Sequence, residues 1–154
     1  LIPLGVAEIK RKGSDVTIVS FGKIIKEAYK AADELAKEGI ECEIIDLRTV
    51  RPLDINAILD SVKKTNRLVV LEEAWPFGNV ATEITYQIQN QAFDYLDAPV
   101  EKINTADTPA PYSPALFAEW LPNSTDVVKQ AAYAERSLSQ FQVKLLRDKQ
   151  TPKE

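Results

Sequence analysis

Acidic and basic side chains follow several short apolar segments of this 154-residue chain. If those segments are parallel strands, the charged residues gather at the carboxyl edge of one sheet, where open α/β folds bind ligands. Paired carboxylates there can serve as a metal site or as acid and base, but they also commonly cap helices and pair with arginine. We favour this structural interpretation for the residues concerned, which are Ser20, Asp46, Arg48, Arg51, Glu72, Glu73, Asn104 and Asp107.

The composition excludes several kinds of catalytic and metal site. The chain has no histidine and one cysteine. Because histidine is the usual acid–base group near neutral pH and the commonest metal ligand, Ser-His and Cys-His nucleophile systems and the usual zinc clusters are excluded within this sequence. Cys42 falls in the middle of a predicted strand, which favours a buried and inert thiol.

Two isolated glycines stand where phosphate-binding loops would begin. Ser20-Phe21-Gly22-Lys23 reads as a strand, a turn and a helix start, and helix N-termini attract anions. Each place has a single glycine, however, and neither the repeated-glycine dinucleotide pattern nor a Walker loop is present. We therefore interpret Gly22 and Gly78 as parts of tight turns.

Large aromatic residues occupy two predicted loops. Trp75, Pro76 and Phe77 follow the strand that ends near Glu72, and Trp120 lies close to a proline. Aromatic side chains in a loop need a cover, which is either the domain's own helix or a partner protein. Both alternatives remain open, and aromatic residues are enriched at interface hot spots. The four residues are our predicted partner-binding positions.

Apolar segments of strand length alternate with amphipathic helical segments. Ile55, Ile58, Leu59 and Val62 form one helical stripe, and Asp54 is a predicted N-cap. Alternation with short links predicts βαβ units and a mostly parallel sheet covered on both faces. The predicted strands are residues 5–11, at an edge, and residues 16–20, 40–46, 68–71 and 99–103.

The character of the chain changes after residue 103. Three prolines make residues 105–114 irregular, Ser113-Pro114 begins a short helix, and Asn123-Ser124 begins a long one. The long helix has a heptad seam, which either docks on the sheet or binds a partner. We favour docking of its first half, and predict one domain over residues 1–129 with a helical, partly disordered tail over 130–154. The seam residues are Val127, Ala131, Ala134, Leu138, Phe141 and Leu145.

Bulk properties exclude several function classes. Hydrophobic residues make up 45% and charged residues 27%, as in soluble globular proteins. A net charge of −4 argues against a nucleic-acid surface. No apolar run is long enough for a membrane span, and no secretory leader is apparent. Since the chain has no methionine and starts with Leu1, we expect a fragment or a processed chain.

Four segments in this order resemble a known family. They are PLGVAEIKRKGSDVTIVSFG, IDLRTVRPLD, VVLEEAWPFGNVATEI and AFDYLDAPVEKINTADTPAPYSPALFAEWLPN. Together they resemble the C-terminal, transketolase-like domain of the β subunits of 2-oxo acid dehydrogenase decarboxylating components, most closely those of pyruvate dehydrogenase. The resemblance covers about residues 1–129. It implies a three-layer αβα sandwich around a mixed, mostly parallel five-stranded sheet with an antiparallel edge strand.

The resemblance also implies a function. Such β subunits pair with each other and with α subunits in an α2β2 oxidoreductase, which uses thiamine diphosphate and Mg²⁺ to decarboxylate a 2-oxo acid and transfer the acyl group to lipoamide. The family's cofactor and histidines lie outside this domain, so no catalytic, cofactor-binding or metal residue carries over. The domain is expected to supply subunit contacts and docking for the subunit-binding domain of the acyltransferase core.

Two further expectations depend on the resemblance. The location would be the cytoplasm in a bacterium or the mitochondrial matrix in a eukaryote. The chain also continues past Lys129, where family members usually end soon after. The alternative function is a free-standing small-molecule or nucleotide-binding α/β module with its site at the carboxyl edge, which predicts a monomer whose melting temperature rises with ligand.

Overall fold

The structure, a computed structural model, describes residues 1–136. These residues form five strands, five α-helices and two single-turn 3₁₀ helices. The last α-helix, α5, covers residues 124–136. The strands are β1 (Glu8–Arg11), β2 (Val16–Ser20), β3 (Cys42–Asp46), β4 (Leu68–Leu71) and β5 (Glu101–Ile103), and the other helices are α1 (Ile25–Lys37), α2 (Ile55–Thr65), α3 (Val80–Ala92) and α4 (Pro114–Trp120).

One mixed sheet with the strand order β1-β3-β2-β4-β5 forms the centre of the fold. Strands β2, β3, β4 and β5 run parallel to one another, and β1 pairs with β3 in the antiparallel direction at the edge of the sheet. Ser20 lies opposite both Asp46 and Leu71, and Leu71 lies opposite Ile103. The carboxyl ends are therefore level, and the predicted antiparallel edge strand is confirmed.

Alternating side chains of the strands form two separate cores. On one face Ile18, Ile44 and Leu71 pack against α1 and α5. On the other face Val19 and Ile45 pack against α2 and α3. Since strand residues alternate between the faces of a sheet, each fully buried strand serves both cores. The result is the predicted three-layer αβα sandwich.

Local signals in the sequence fix the helix ends. The Asp54 side chain caps α2 by accepting a hydrogen bond from the Ala57 amide at 3.2 Å, and Gly39 ends the turn after α1 with φ of 83°. Asn79 caps α3 by accepting a hydrogen bond from the Thr82 amide at 2.9 Å, so this helix begins directly after Asn79. The predicted N-cap of α2 is confirmed.

The first half of the predicted seam docks on the sheet. Val127, Ala131 and Ala134 are fully buried, and the first two belong to the core beneath α1. Helix α5 passes residues 129 and 130 without a break, so the proposed domain boundary there stays a prediction. Three seam residues, Leu138, Phe141 and Leu145, fall outside the described residues. Among residues 1–136, no helix is long and apolar enough to cross a bilayer.

Candidate interaction site at the carboxyl edge of the sheet

Glu72 directly follows β4 and is 1% exposed. Its Oε1 accepts hydrogen bonds from the Ala81 amide at 3.1 Å and from Asn104 Nδ2 at 3.0 Å. The Ala81 amide belongs to the first turn of α3, where backbone donors lack helical partners and negative charge is stabilising. This is the helix-capping role that we predicted. The second oxygen, Oε2, is buried without a hydrogen-bond partner among the described residues.

The arginine pairing at this edge differs from the prediction. Arg48 forms an ion pair with Glu8 of β1, whereas only its backbone amide bonds to Asp46, at 3.0 Å. Arg51 is exposed and has no ion pair within residues 1–136. Arg48 has a left-handed backbone conformation, with φ of 57°. No motif in the sequence indicates that Arg48 lies next to Glu8 of β1.

The structure separates the other polar residues of the edge. Ser20 lies on the same face as Ile18, towards α1, while Glu72 bonds to α3 on the opposite face. The Ser20 hydroxyl is buried and lacks a partner among residues 1–136, and Asp107 is exposed. The described chain holds no group of three or more histidine, cysteine, aspartate or glutamate side chains placed to bind a metal ion.

The two lone glycines serve backbone turns. Gly22 and Gly78 have φ of 69° and 66°, a region that other residues rarely adopt. A Cβ atom at either position would meet nothing within 4 Å. The glycines are therefore explained by turn conformation, as predicted. Cys42 is buried as expected, and its burial raises the pKa of the thiol to about 12.

The aromatic loop after β4 is fixed by hydrogen bonds. The indole nitrogens of Trp75 and Trp120 both donate to the Thr108 carbonyl, at 3.1 and 2.8 Å. Asn79 Nδ2 donates to the Trp75 carbonyl at 2.7 Å. Trp120 also stacks on Phe117, with ring centroids 5.5 Å apart. One carbonyl thus joins the loop to α4, a contact that no motif in the sequence signals.

Although hydrogen bonds fix the loop, parts of its aromatic side chains remain exposed to solvent. Trp75 is 54% exposed and Phe77 is 89% exposed, while Pro76 and Trp120 are partly buried. None of the described helices covers Phe77. Within residues 1–136, cover of Phe77 by the domain's own helix is therefore not realised, and its predicted role in partner binding stays a prediction.

Two connected clefts border this loop. The first, of about 560 Å³, is lined by three aromatic rings, three carboxylates and small residues. The second, of about 790 Å³, is lined by residues 50–53 and by part of α3. Val80 and Glu83 line both clefts, so the two clefts adjoin, and Arg51 lines only the second. The first cleft is lined by Phe21, Glu72, Glu73, Ala74, Trp75, Phe77, Gly78, Asn79, Val80 and Glu83.

The level parallel strands, the antiparallel edge and the loop at the carboxyl edge define a known class of α/β domain. Residues 5–127 match the family model described as Transketolase, C-terminal domain, and the chain belongs to this family. It is 48% identical over 128 residues to the pyruvate dehydrogenase E1 component subunit beta of Rickettsia felis, covering 83% of this chain and 39% of that protein. The mitochondrial subunit beta of Dictyostelium discoideum is 46% identical over 131 residues, covering 85% and 37%.

Other relatives show the range of the family. The subunit beta of the Bacillus subtilis acetoin:2,6-dichlorophenolindophenol oxidoreductase is 45% identical over 127 residues, covering 82% of this chain and 37% of that protein. A solved structure of a split-gene transketolase, described as an inactive β4 tetramer, has a TM-score of 0.76 at 26% identity and covers 90% of this chain and 44% of that one. The chain thus spans well under half the length of the curated relatives it matches.

Proposed function

We propose that this chain is the assembly domain of the β subunit of a thiamine diphosphate-dependent 2-oxo acid dehydrogenase, most simply a pyruvate dehydrogenase. The complex would decarboxylate the acid and pass the acyl group to lipoamide, in the cytoplasm of a bacterium or the matrix of a mitochondrion. Its partners would be a second β subunit, the α subunit and the subunit-binding domain of the acyltransferase. The similarity to E1 beta subunits supports this proposal.

The observation that carries the proposal is the exposed aromatic loop. Phe77 is 89% exposed although hydrogen bonds hold both ends of its loop in place. A fixed loop loses little conformational entropy on binding, which favours a docking role. Exposed large rings in such a place are typical of protein interfaces.

We infer that the cofactor of such an enzyme binds outside the described residues. Within residues 1–136, no group of three or more histidine, cysteine, aspartate or glutamate side chains is placed to hold a metal ion. The carboxylates of the first cleft would repel a diphosphate, because like charges at close range are destabilising. This argues equally against the alternative function as a nucleotide-binding module. We place thiamine diphosphate and Mg²⁺ in other parts of the complex.

Calorimetric titration of the chain with the α subunit, and separately with the acyltransferase subunit-binding domain, tests the proposal. We expect saturable binding to at least one of them, and a Kd about tenfold weaker for Phe77→Ala, as for a moderate hot-spot residue. Phe93→Ala is the matched control, because Phe93 is also an exposed phenylalanine, at 61%, but lies at the far end of α3.

The outcomes separate the two functions. If a folded chain binds neither protein and remains a monomer in light scattering, the assembly function is contradicted. If a nucleotide raises its melting temperature instead, the alternative module is supported. If both phenylalanine variants weaken binding equally, the interface is not at the carboxyl edge.

A further inference from the structure

The second oxygen of Glu72 is the unsatisfied group in the first cleft. Glu72 is 1% exposed and is one of the residues that line the cleft, and its Oε1 already has two donors. Oε2 is buried without a partner among the described residues. A buried carboxylate oxygen without a donor is destabilising, so native proteins normally provide one. A donor entering through the cleft would satisfy it.

The lining of the cleft indicates the chemistry of that donor. Glu73 and Glu83 add two carboxylates to Glu72, and no lysine or arginine is among the lining residues. The ammonium group of Lys102 is held by the Pro76 carbonyl at 3.2 Å and the Thr82 hydroxyl at 2.9 Å. The cleft is therefore complementary to a positive charge.

Three aromatic rings, those of Phe21, Trp75 and Phe77, make up the apolar part of the lining. A planar guanidinium group stacks on such rings and donates two parallel hydrogen bonds to carboxylates. A bare metal ion would need several converging oxygen ligands, and the described chain has no such group. Arginine thus matches both the rings and the carboxylates.

We propose that this cleft receives an arginine side chain of a partner subunit, which donates to Glu72 Oε2 and stacks between Trp75 and Phe77. The inference rests on the proposed assembly function and names the chemistry of the partner at the same edge. Glu73 and Glu83, at the mouth, attract the approaching cation. The site exists in the free chain because the two donors to Oε1 hold the carboxylate in position.

A backbone-amide NMR titration of the chain with N-acetyl-arginine methylamide tests the site directly. We expect saturable shifts of the Gly78 and Ala81 amides and of the Asn104 side-chain amide, with a Kd in the millimolar range. The citrulline analogue has nearly the same shape without the charge and should bind at least tenfold more weakly. Equal binding of both analogues, or the same shifts with Mg²⁺ alone, would overturn the proposal.

Glu72→Gln is the decisive variant. It keeps the Oε1 acceptor for Ala81 and Asn104, so the fold should remain, and it replaces only the unsatisfied oxygen. We expect at least tenfold weaker arginine binding, with no change for Glu34→Gln, a control at an exposed position of α1. If Glu72→Gln unfolds the chain, Glu73→Gln, on the exposed side of the cleft, should show a smaller loss in the same direction.

Titration of the same variants with the partner proteins separates this inference from the proposed function. Weaker partner binding by Glu72→Gln but not by Glu34→Gln supports the arginine site. If a partner binds the chain and Glu72→Gln equally well, the arginine site is refuted while the assembly function stands. If the arginine probe binds but no subunit does, the cleft is a small-molecule site, and its assignment to a partner residue is overturned.

Discussion

A buried carboxylate between β3 and α2 allows an electrostatic contribution to stability to be predicted. Glu43 is 1% exposed, accepts a hydrogen bond from the Ser61 hydroxyl at 2.6 Å and forms an ion pair with Lys64. The Thr17 hydroxyl bonds to those of Ser61 and Thr65, each at 2.6 Å. This network joins the sheet to α2, and it depends on Lys64 to compensate the charge of Glu43.

Replacing Lys64 with methionine keeps much of the aliphatic stem and removes the ammonium group. Breaking a fully buried ion pair costs about 3–5 kcal/mol. The Lys64 side chain is 47% exposed, however, so water screens part of the interaction. We therefore expect Lys64→Met to lower the free energy of unfolding by roughly 1–3 kcal/mol. The double variant Glu43→Gln/Lys64→Met should recover most of this loss, because a neutral amide still accepts from Ser61.

Urea unfolding followed by circular dichroism measures these differences. With an m-value of about 1–3 kcal/mol/M, the midpoint of Lys64→Met should fall by roughly 1 M. Lys26→Met, at an exposed position of α1, is the control for general effects of losing a lysine. A double variant no more stable than Lys64→Met alone would refute the argument that uncompensated charge on Glu43 causes the loss.

Three further predictions follow from other parts of the fold. A Cβ atom at Gly13 would lie 2.2 Å from the backbone carbonyl carbon of Cys42, so Gly13→Ala should lower the free energy of unfolding by more than about 3 kcal/mol, against about 1 kcal/mol for Gly22→Ala, when both are measured in urea. A hydrogen bond from Lys10 holds the pKa of Glu8 below its usual 4.5. The ionised Glu8 side chain therefore stabilises the fold above about pH 4.5, and this contribution is lost as the pH falls through the lowered pKa. Glu8→Gln should consequently flatten the acid side of a curve of unfolding free energy against pH. With its pKa raised to about 12, the Cys42 thiol should resist iodoacetamide at about pH 8 in the folded chain and react fully in urea, and rapid modification without urea would contradict its burial.

Periodicity and local caps made most of this fold predictable from sequence. Val16–Ser20 is a short segment rich in β-branched residues and Leu68–Leu71 is a continuous apolar run, and such segments next to amphipathic helices indicate buried parallel strands. Asp54 and Gly39 have side-chain and backbone preferences that locate helix ends within a few residues. These signals act over one or two turns of chain, so a single sequence contains them.

The arrangement at the carboxyl edge was less predictable because it depends on contacts between distant residues. Sequence placed Ser20 and Glu72 at one edge, but which face each occupies depends on strand register, and a shift of one residue reverses it. Arg48 pairs with Glu8, which is 40 residues away in sequence. The Thr108 carbonyl that joins two indoles is a backbone group and has no side-chain signature.

The edge also shows why an exposed surface can be specified as closely as a core. Trp75 and Trp120 share the Thr108 carbonyl, and Asn79 both caps α3 and holds the Trp75 carbonyl. These bonds fix the loop within the single chain, whereas Phe77 remains 89% exposed. Since ordering a loop on binding consumes part of the interaction free energy, a loop ordered in advance leaves more of it for affinity. If Phe77 contacts a partner as we propose, the hydrogen bonds around it would serve recognition as well as the stability of the domain.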